Sequence, residues 1–557
     1  MAGNCSFHPC FIRGASLQQA TRSRWSARAI RQIKADFIRL RSGRQQRRLK
    51  INMQPGGRKK NQDNDWFACV ERPAGNPADD GRSPLLSRSR RWAGLIPGAG
   101  TLFMIALVSG NAMAQSLLLP PPPSPLQLSL PMPETPGTAP SGYLFSFSKI
   151  GRHLGQALKS DGIYLRGAYV NDILADVDGG NRRGTTGTGD AAFGADLDLN
   201  KIAGIPNAAI HVTFDDRTGL NASTYAGTFF GLSGENGPSD TTRLSELSWD
   251  QSLFHDHLRL LLGRINPTAD FDTSDISCDF VSNITCAQPF AWYVDNSGVA
   301  FPVSTWGARA TIKPSLPSYI RIGVYQDQPL QNDITEHGFD WGIEKSTGVF
   351  VPFEIGYQKG FDRARLPFKY DIGGYYDTGS YTVPSAMGES DLDRCGRTAF
   401  YAQAEQTIWR PDPKTHRSLT LFGGVLASTG GYAVYPLSVY AGAYLRGPFV
   451  SRPHDAFGIE ATYVRVNKSA EGQVVDTYDS LGLVAPDHPH QWILEADYHF
   501  AIAPGIQVIP DAQFVIHPDE IGFSNPRAGV NHALVVGVQV TINLDKILGL
   551  PEWKRVN

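Results

Sequence analysis

Two runs near the end of the chain decide the fold: WILEADYHFAIAPGIQVIPDAQFVIH, residues 492–517, and HALVVGVQVTINL, residues 532–544. In the first, Trp492, Leu494, Ala496, Tyr498 and Phe500 fall on one face, and Glu495, Asp497 and His499 on the other. AIAPG, residues 501–505, supplies a Pro-Gly turn, and alternation resumes after it. In the last run Leu534, Val536, Val538, Val540, Ile542 and Leu544 lie opposite Gly537, Gln539, Thr541 and Asn543. Side chains alternate faces along a strand, so each run has one apolar and one polar side. A length of about ten residues with aromatics at the ends suits a strand that crosses an outer membrane in a closed barrel.

The same rhythm extends back through the chain. Sixteen alternating or apolar segments stand at 163–172, 191–199, 207–215, 242–251, 257–265, 305–313, 319–327, 349–359, 368–377, 398–408, 418–428, 437–446, 455–465, 490–500, 506–516 and 532–544. An even count is what a closed antiparallel bacterial barrel requires. Short connections follow the even-numbered segments, and the longest, at 216–241, 266–304, 328–348, 378–397 and 466–489, follow odd ones. Short periplasmic turns alternating with long extracellular loops give this pattern, and a soluble β-sandwich has no reason to. The expected fold is all-β, a 16-stranded antiparallel transmembrane β-barrel over 163–544. Outward faces should carry Ile210, Val212 and Phe214; Ile320, Ile322 and Val324; Val349, Phe353, Ile355 and Tyr357; and Leu437 and Val439. The opposite parity places Arg166, Asp196, His211, Glu246, Arg309, Arg321, Glu354, Lys369, Asp371, Glu460, Glu495 and Asp511 on the lumen. This mixed set of signs suits an aqueous pore for neutral polar solutes.

The 557 residues carry a net charge of −1 that hides an asymmetry. Residues 1–100 have 20 Lys+Arg against 6 Asp+Glu, and the remainder is acidic. Residues 1–87 are Arg-rich and lack a sustained amphipathic period, which reads as an upstream segment either disordered or not translated, in preference to a nucleic-acid-binding arm. Residues 88–114 have a basic start, an apolar core and Ala112-Met113-Ala114 before Gln115, the pattern of a secretory signal peptide. Residues 115–142 are a Pro-rich periplasmic tether, 143–162 hold a short periplasmic helix with Ile150, Leu154 and Leu158 at helical spacing, and 545–557 form a tail.

Catalytic signatures are scarce: GxSxG, HExxH and GxxxxGK[ST] are all missing. His255-Asp256-His257 falls in a short turn, and Asp176-x-Asp178 departs from a calcium loop because its twelfth position is Gly187. The reading is no enzyme, no cofactor and no metal. The stretch that stands out is 266–304, at 39 residues far longer than an ordinary connection. It holds Asp270, Phe280, Phe290, Trp292 and Tyr293, and Cys278 with Cys286, eight apart and placed to pair in an oxidising periplasm. Folded into the lumen, it would narrow the pore. Aromatic faces beside Asp, Asn and Gln suit a sugar, whose C–H faces stack while its hydroxyls hydrogen-bond.

These residues carry a family resemblance. From Lys149 to Leu544 the chain resembles the bacterial carbohydrate-selective porins of the OprB type. The resemblance rests on LGQALKSDGI (154–163), LRLLLGRINPTADFD (258–272), HGFDWGI (337–343), VIPDAQFVIHP (508–518) and NHALVVGVQVTINL (531–544). It implies an outer-membrane porin for passive uptake of monosaccharides such as glucose, with outer-membrane lipid and small neutral sugars as partners, no nucleic acid, and a homotrimeric or monomeric state. A general or anion-preferring porin is the alternative within the channel class, and a barrel enzyme or adhesin lies outside it. By position the resemblance implies a constriction at Arg264, Asp270, Trp292, Arg309 and Arg321, to which Phe290, Tyr293, Glu354 and Asp371 are added from the reading of the loop and the lumen face. Two departures stand: Ser148-Lys149-Ile150-Gly151 where a Trp-Gly-Gly run is expected, and thirteen residues beyond Leu544.

Overall fold

The computed structural model describes residues 142–554, apart from 146–148, 236, 238–239, 275, 287–288, 297–299, 316, 384–391 and 430–432. The upstream basic segment, the signal peptide, nearly all of the Pro-rich tether and the last three residues of the tail lie outside the described residues.

All sixteen expected segments form strands: β1 Ile163–Gly179, β2 Gly184–Asp198, β3 Ala208–Gly219, β4 Thr242–Leu253, β5 Leu258–Ile265, β6 Thr305–Ile312, β7 Ser318–Asp327 and β8 Gly348–Lys359. The second half holds β9 Phe368–Val383, β10 Leu392–Trp409, β11 Ser418–Thr429, β12 Leu437–Arg446, β13 Ala456–Arg465, β14 His490–Ala503, β15 Ile506–Ile516 and β16 His532–Asn543. Each pairs antiparallel with its sequence neighbours, and β1 pairs with β16 from Ala168↔Asn543 to Gly179↔Ala533, which closes the barrel. In hydrocarbon every backbone donor and acceptor must be paired within the protein, and closure provides this without a free edge.

Parity follows the sequence. Ile320, Ile322, Val324, Phe353, Ile355, Tyr357, Trp492 and Leu494 are exposed on the outside, while Glu354, Glu460, Glu495, Asp497 and Asp511 are buried within. Two hairpins are taller than expected. β1 and β2 pair up to Asp176↔Gly184, and β9 and β10 up to Val383↔Leu392. The first loop therefore shrinks to 180–183, and much of the expected 378–397 loop is strand. Its small and polar composition, with Gly379, Gly388 and Gly396, resembles a loop, but Tyr381, Thr382 and Val383 suit a pleated sheet as well.

The helix before β1 is Arg152–Ser160. Its Ile150 and Leu154 side is exposed, and Gly155 is its buried residue. A second short helix, Leu544–Leu548, follows β16, and the two meet where the Gly151 N–H donates to the Leu548 carbonyl at 2.9 Å.

Candidate constriction of the barrel lumen

Residues 266–304 leave the extracellular end of β5 and cross the lumen, reaching strands from β6 round to β14. Near its start the loop is held by charge. Arg309 on β6 pairs with the Asp270 carboxylate, Arg321 on β7 donates to the Asp270 carbonyl, and the Tyr325 hydroxyl donates to Asp270 at 3.1 Å. Arg321 also pairs with Glu354 on β8 at 3.2 Å. Glu354 in turn accepts from the Asp272 N–H at 3.0 Å and the Tyr401 hydroxyl at 2.6 Å. Lys369 and Gln403 both donate to the Thr273 carbonyl, and Gln403 also donates to Asp371 at 2.9 Å. Five of the expected site residues, Asp270, Arg309, Arg321, Glu354 and Asp371, are thus one connected network on the β6–β10 side. Charged groups bridged in this way are shorter and stronger than neutral hydrogen bonds.

Farther along, the anchors are neutral donors on acidic wall residues. One Glu495 oxygen on β14 accepts from the Val281 and Ser282 N–H groups at 2.8 and 3.0 Å, and Glu460 on β13 accepts from the Thr285 hydroxyl at 2.7 Å. Phe280 lies between Phe422 and Tyr444, with ring centroids 5.7 and 6.3 Å away, over the backbone of Gly458. A Cβ at Gly458 would stand 2.9 Å from that ring, so glycine leaves room for it. Cys278 and Cys286 form the expected disulfide at this point of the loop.

Phe290 and Trp292 do not present the open aromatic faces expected from the composition of the loop. Trp292 is fully buried among Phe350, Tyr375 and Tyr401, at centroid distances of 5.3–5.7 Å. Phe290 is buried against Phe230, 4.6 Å away. Both lie on the short helix Phe290–Val294; by burying apolar surface Trp292 fixes the loop to the wall, and Phe290 fixes it to the connection between β3 and β4 that carries Phe229 and Phe230. Tyr293 is on the same helix, and its side chain lies outside the described residues. Arg264 is the second correction. It shares parity with the exposed Leu262 and points outward, over the Trp306 ring at 5.9 Å, donating to the Ser304 carbonyl and to Gln331. Residues 328–347 cover it, so it does not line the lumen.

The structure adds residues that the sequence did not single out. Residues 220–241 also fold inward and pair with the long loop: the Gly234 N–H donates to Val281 O at 2.8 Å, and the Asn283 N–H to Gly231 O at 3.1 Å. Asp295 accepts from Ser428, Val434 and Tyr435, tying the loop's far end to β11 and the next extracellular turn. In the last extracellular loop Asp519 accepts from the Phe229 N–H at 2.9 Å and the Tyr435 hydroxyl at 2.8 Å, and Glu520 accepts from the Tyr478 hydroxyl at 2.6 Å. Burial pushes Asp519 up to about 6 and Glu520 up to about 7. The run TFFGLSGENG, 228–237, is the signal that could have found the second loop: two aromatics and a leucine with three glycines in a connection are more apolar than a solvated tip needs.

The other candidates are satisfied locally. Asp256 accepts from Ser252 and Lys313, and His257 bonds the Lys313 carbonyl at 2.7 Å. Asp178 pairs with Arg183 at 2.5 Å. The lumen wall around the loop carries both signs of charge. Arg217, Arg259, Arg309 and Arg321 stand on β3–β7, and Glu460, Glu495, Asp497 and Asp511 stand across the lumen on β13–β15.

Comparison with known proteins matches this architecture. The family model of the carbohydrate-selective porin, OprB family, matches residues 182–544. Porin B of Pseudomonas aeruginosa is 25% identical over 397 residues, which are 67% of this chain and 85% of that protein. The high-pH structure of Pseudomonas putida OprB superposes with a TM-score of 0.64 at 22% identity, over 70% of this chain and 96% of its own. With the family match spanning more than half of its length and a closed sixteen-stranded barrel beneath it, the chain belongs to the carbohydrate-selective porin, OprB family, of the bacterial outer membrane.

Proposed function

We propose that the chain lets small neutral sugars, monosaccharides such as glucose, diffuse passively to the periplasm between the infolded loop 266–304 and the lumen wall, without catalysis. The observation that carries this reading is the loop's anchorage across the lumen, from Asp270 on Arg309 to the Val281 and Ser282 N–H groups on Glu495. A connection fastened at both sides is a fixed size filter. In this reading Asp270, Arg309, Arg321, Glu354 and Asp371 hold the filter in place and offer their remaining donor and acceptor positions to sugar hydroxyls, while Phe290 and Trp292 keep the filter rigid. Contacts of this kind must be weak and several, so that a solute can leave as well as enter.

The precursor organisation is part of the proposal: a signal peptide at 88–114 removed on export, and a periplasmic tether at 115–142. Residues 115–557 reconstituted in liposomes test the function. Swelling should be fastest in glucose, slower in sucrose and slower in amino acids of similar size. Absence of swelling overturns the channel reading, and equal rates for all solutes of one size overturn sugar preference. Cross-linking in detergent separates a homotrimer from a monomer.

A further inference from the structure

The family match ends at residue 544, and the segment beyond it has a definite place. After the helix Leu544–Leu548 the chain turns at Gly549, whose φ of +72° suits glycine, and the Leu550 N–H donates back to the Asp545 carbonyl at 2.8 Å. It then packs on the helix before β1. A Cβ on Gly155 would stand 2.6 Å from Pro551, so the two backbones are in close approach. Two residues later the Trp553 indole meets the His211 ring edge-to-face, at 5.3 Å and 75°.

His211 fixes where that is. It sits on β3, three residues inward from Ala208, about 10 Å along the strand from its periplasmic end at the rise of a strand. It faces the lumen, bonded to Asp196 at 2.6 Å, with Asp250 at 3.5 Å. Arg166 and Arg259 complete the group through Asp196 and Asp250. Trp553 is half-buried and Lys554 exposed, so the segment returns into the barrel without being sealed in the wall.

We propose that residues 549–554 form a periplasmic throat, in which Trp553 narrows the exit on the β1–β5 side and presents an aromatic face to departing sugars. The indole beside Arg166, Asp196 and His211 has the composition of a weak polyol contact: a flat apolar ring for the C–H face, and charged donors and acceptors for the hydroxyls. This second contact lies on the opposite side of the lumen's length from the extracellular filter. It rests on the sugar-porin reading for its ligand class, but not for its position.

The test compares the wild type, W553A, W553F and a chain ended after Pro551, which keeps the packing on Gly155. All four should shift mobility on heating in detergent, the mark of a folded barrel. W553A and the shortened chain should show higher single-channel conductance in KCl and a raised sucrose-to-glucose swelling ratio. W553F should stay near the wild type. Unchanged conductance and unchanged ratio in both W553A and the shortened chain overturn the proposal. A wild type that conducts ions but does not swell in glucose overturns the sugar reading, while a conductance rise in W553A still supports the throat.

Discussion

Arg264 and Arg309 show how much depends on which way one side chain points. Arg309 joins the Asp270 network inside the barrel, whereas Arg264 is buried outside it under residues 328–347. Replacing Arg309 by Ala leaves Asp270 without its cation, and breaking a buried pair from one side costs about 3–5 kcal/mol. R309A should lower the temperature of the heat-induced mobility shift and increase current noise, because the filter loses an anchor. R264A removes hydrogen bonds to a carbonyl and an amide, a loss of about 1–3 kcal/mol. It should lower the same temperature by less and leave glucose swelling unchanged. If R264A alters the sucrose-to-glucose ratio as R309A does, the assignment of Arg264 to the outer wall is wrong. The sequence could not separate the two. LRLLLGRI, 258–265, is apolar on both faces, with Leu261 and Ile265 on one side and Leu258, Leu260 and Leu262 on the other. TWGARATI, 305–312, alternates clearly and gives Arg309 away. Trp292 was misread for a different reason. An aromatic ring in a long loop serves equally well as an exposed platform or as a buried anchor, and only its neighbours decide.

The infolded loop is the element whose stability sets the filter. Its disulfide closes a loop of only eight residues' separation, so in the chain-entropy model it contributes about 2–3 kcal/mol. The wall anchors to Asp270, Thr273, Val281, Ser282 and Thr285 do not depend on it. Replacing both Cys278 and Cys286 by Ser should therefore leave a conducting, size-selective channel with a lower thermal midpoint. E495A, which leaves the Val281 and Ser282 N–H groups without their acceptor, should widen the channel more than loss of the disulfide does, as conductance in KCl would register. The last extracellular loop adds a pH dependence. Asp519 and Glu520 have folded-state values raised by burial to about 6 and about 7. A raised carboxyl contributes stability that is full below its unfolded value and lost as pH rises through its folded one. Loop 517–531 should accordingly resist proteolysis better at pH 6.5 than at pH 8. Below that range His517 opposes the gain, since burial first, and then His488 and His490, hold its value under the usual one. Equal cleavage rates at pH 6.5 and 8 would exclude the carboxyl clasp. The disulfide was legible beforehand, but the anchors and the carboxyl pair were not. Loop length and composition marked 266–304, but the partners that hold it come from wall positions as distant as Glu495, and alternation says only that such residues face inward.

At the scale of the whole molecule, the strands were legible because lipid outside and water inside impose one pattern on every stave. The runs 492–517 and 532–544 set the period, and the remaining segments repeat it. What alternation cannot state is that the last strand meets the first, since pairing of β1 with β16 brings together residues more than 350 apart. The seam itself offers a test. Gly537 on β16 pairs with Leu174, and a Cβ there would lie 2.1 Å from the Ile173 carbonyl oxygen and 2.6 Å from a Leu174 methyl. The first of these is backbone and cannot swing aside, so G537A must push the two strands apart or break their ladder. Every ladder group left open at hydrocarbon depth costs several kcal/mol, because no water can replace its partner. G537A should therefore fail to give the heat-modifiable band and should be degraded or aggregate during assembly. Gly472 is the matched control. It lies in the extracellular helix Lys468–Ser480 with nothing within 4 Å of its Cβ direction. G472A should assemble normally and stabilise that helix by about 0.5–1 kcal/mol. Protease protection of residues 466–489 would detect the gain. If G537A assembles as well as G472A, the contact at the seam is looser than the register between β1 and β16 requires, and closure depends on the rest of their eleven paired positions.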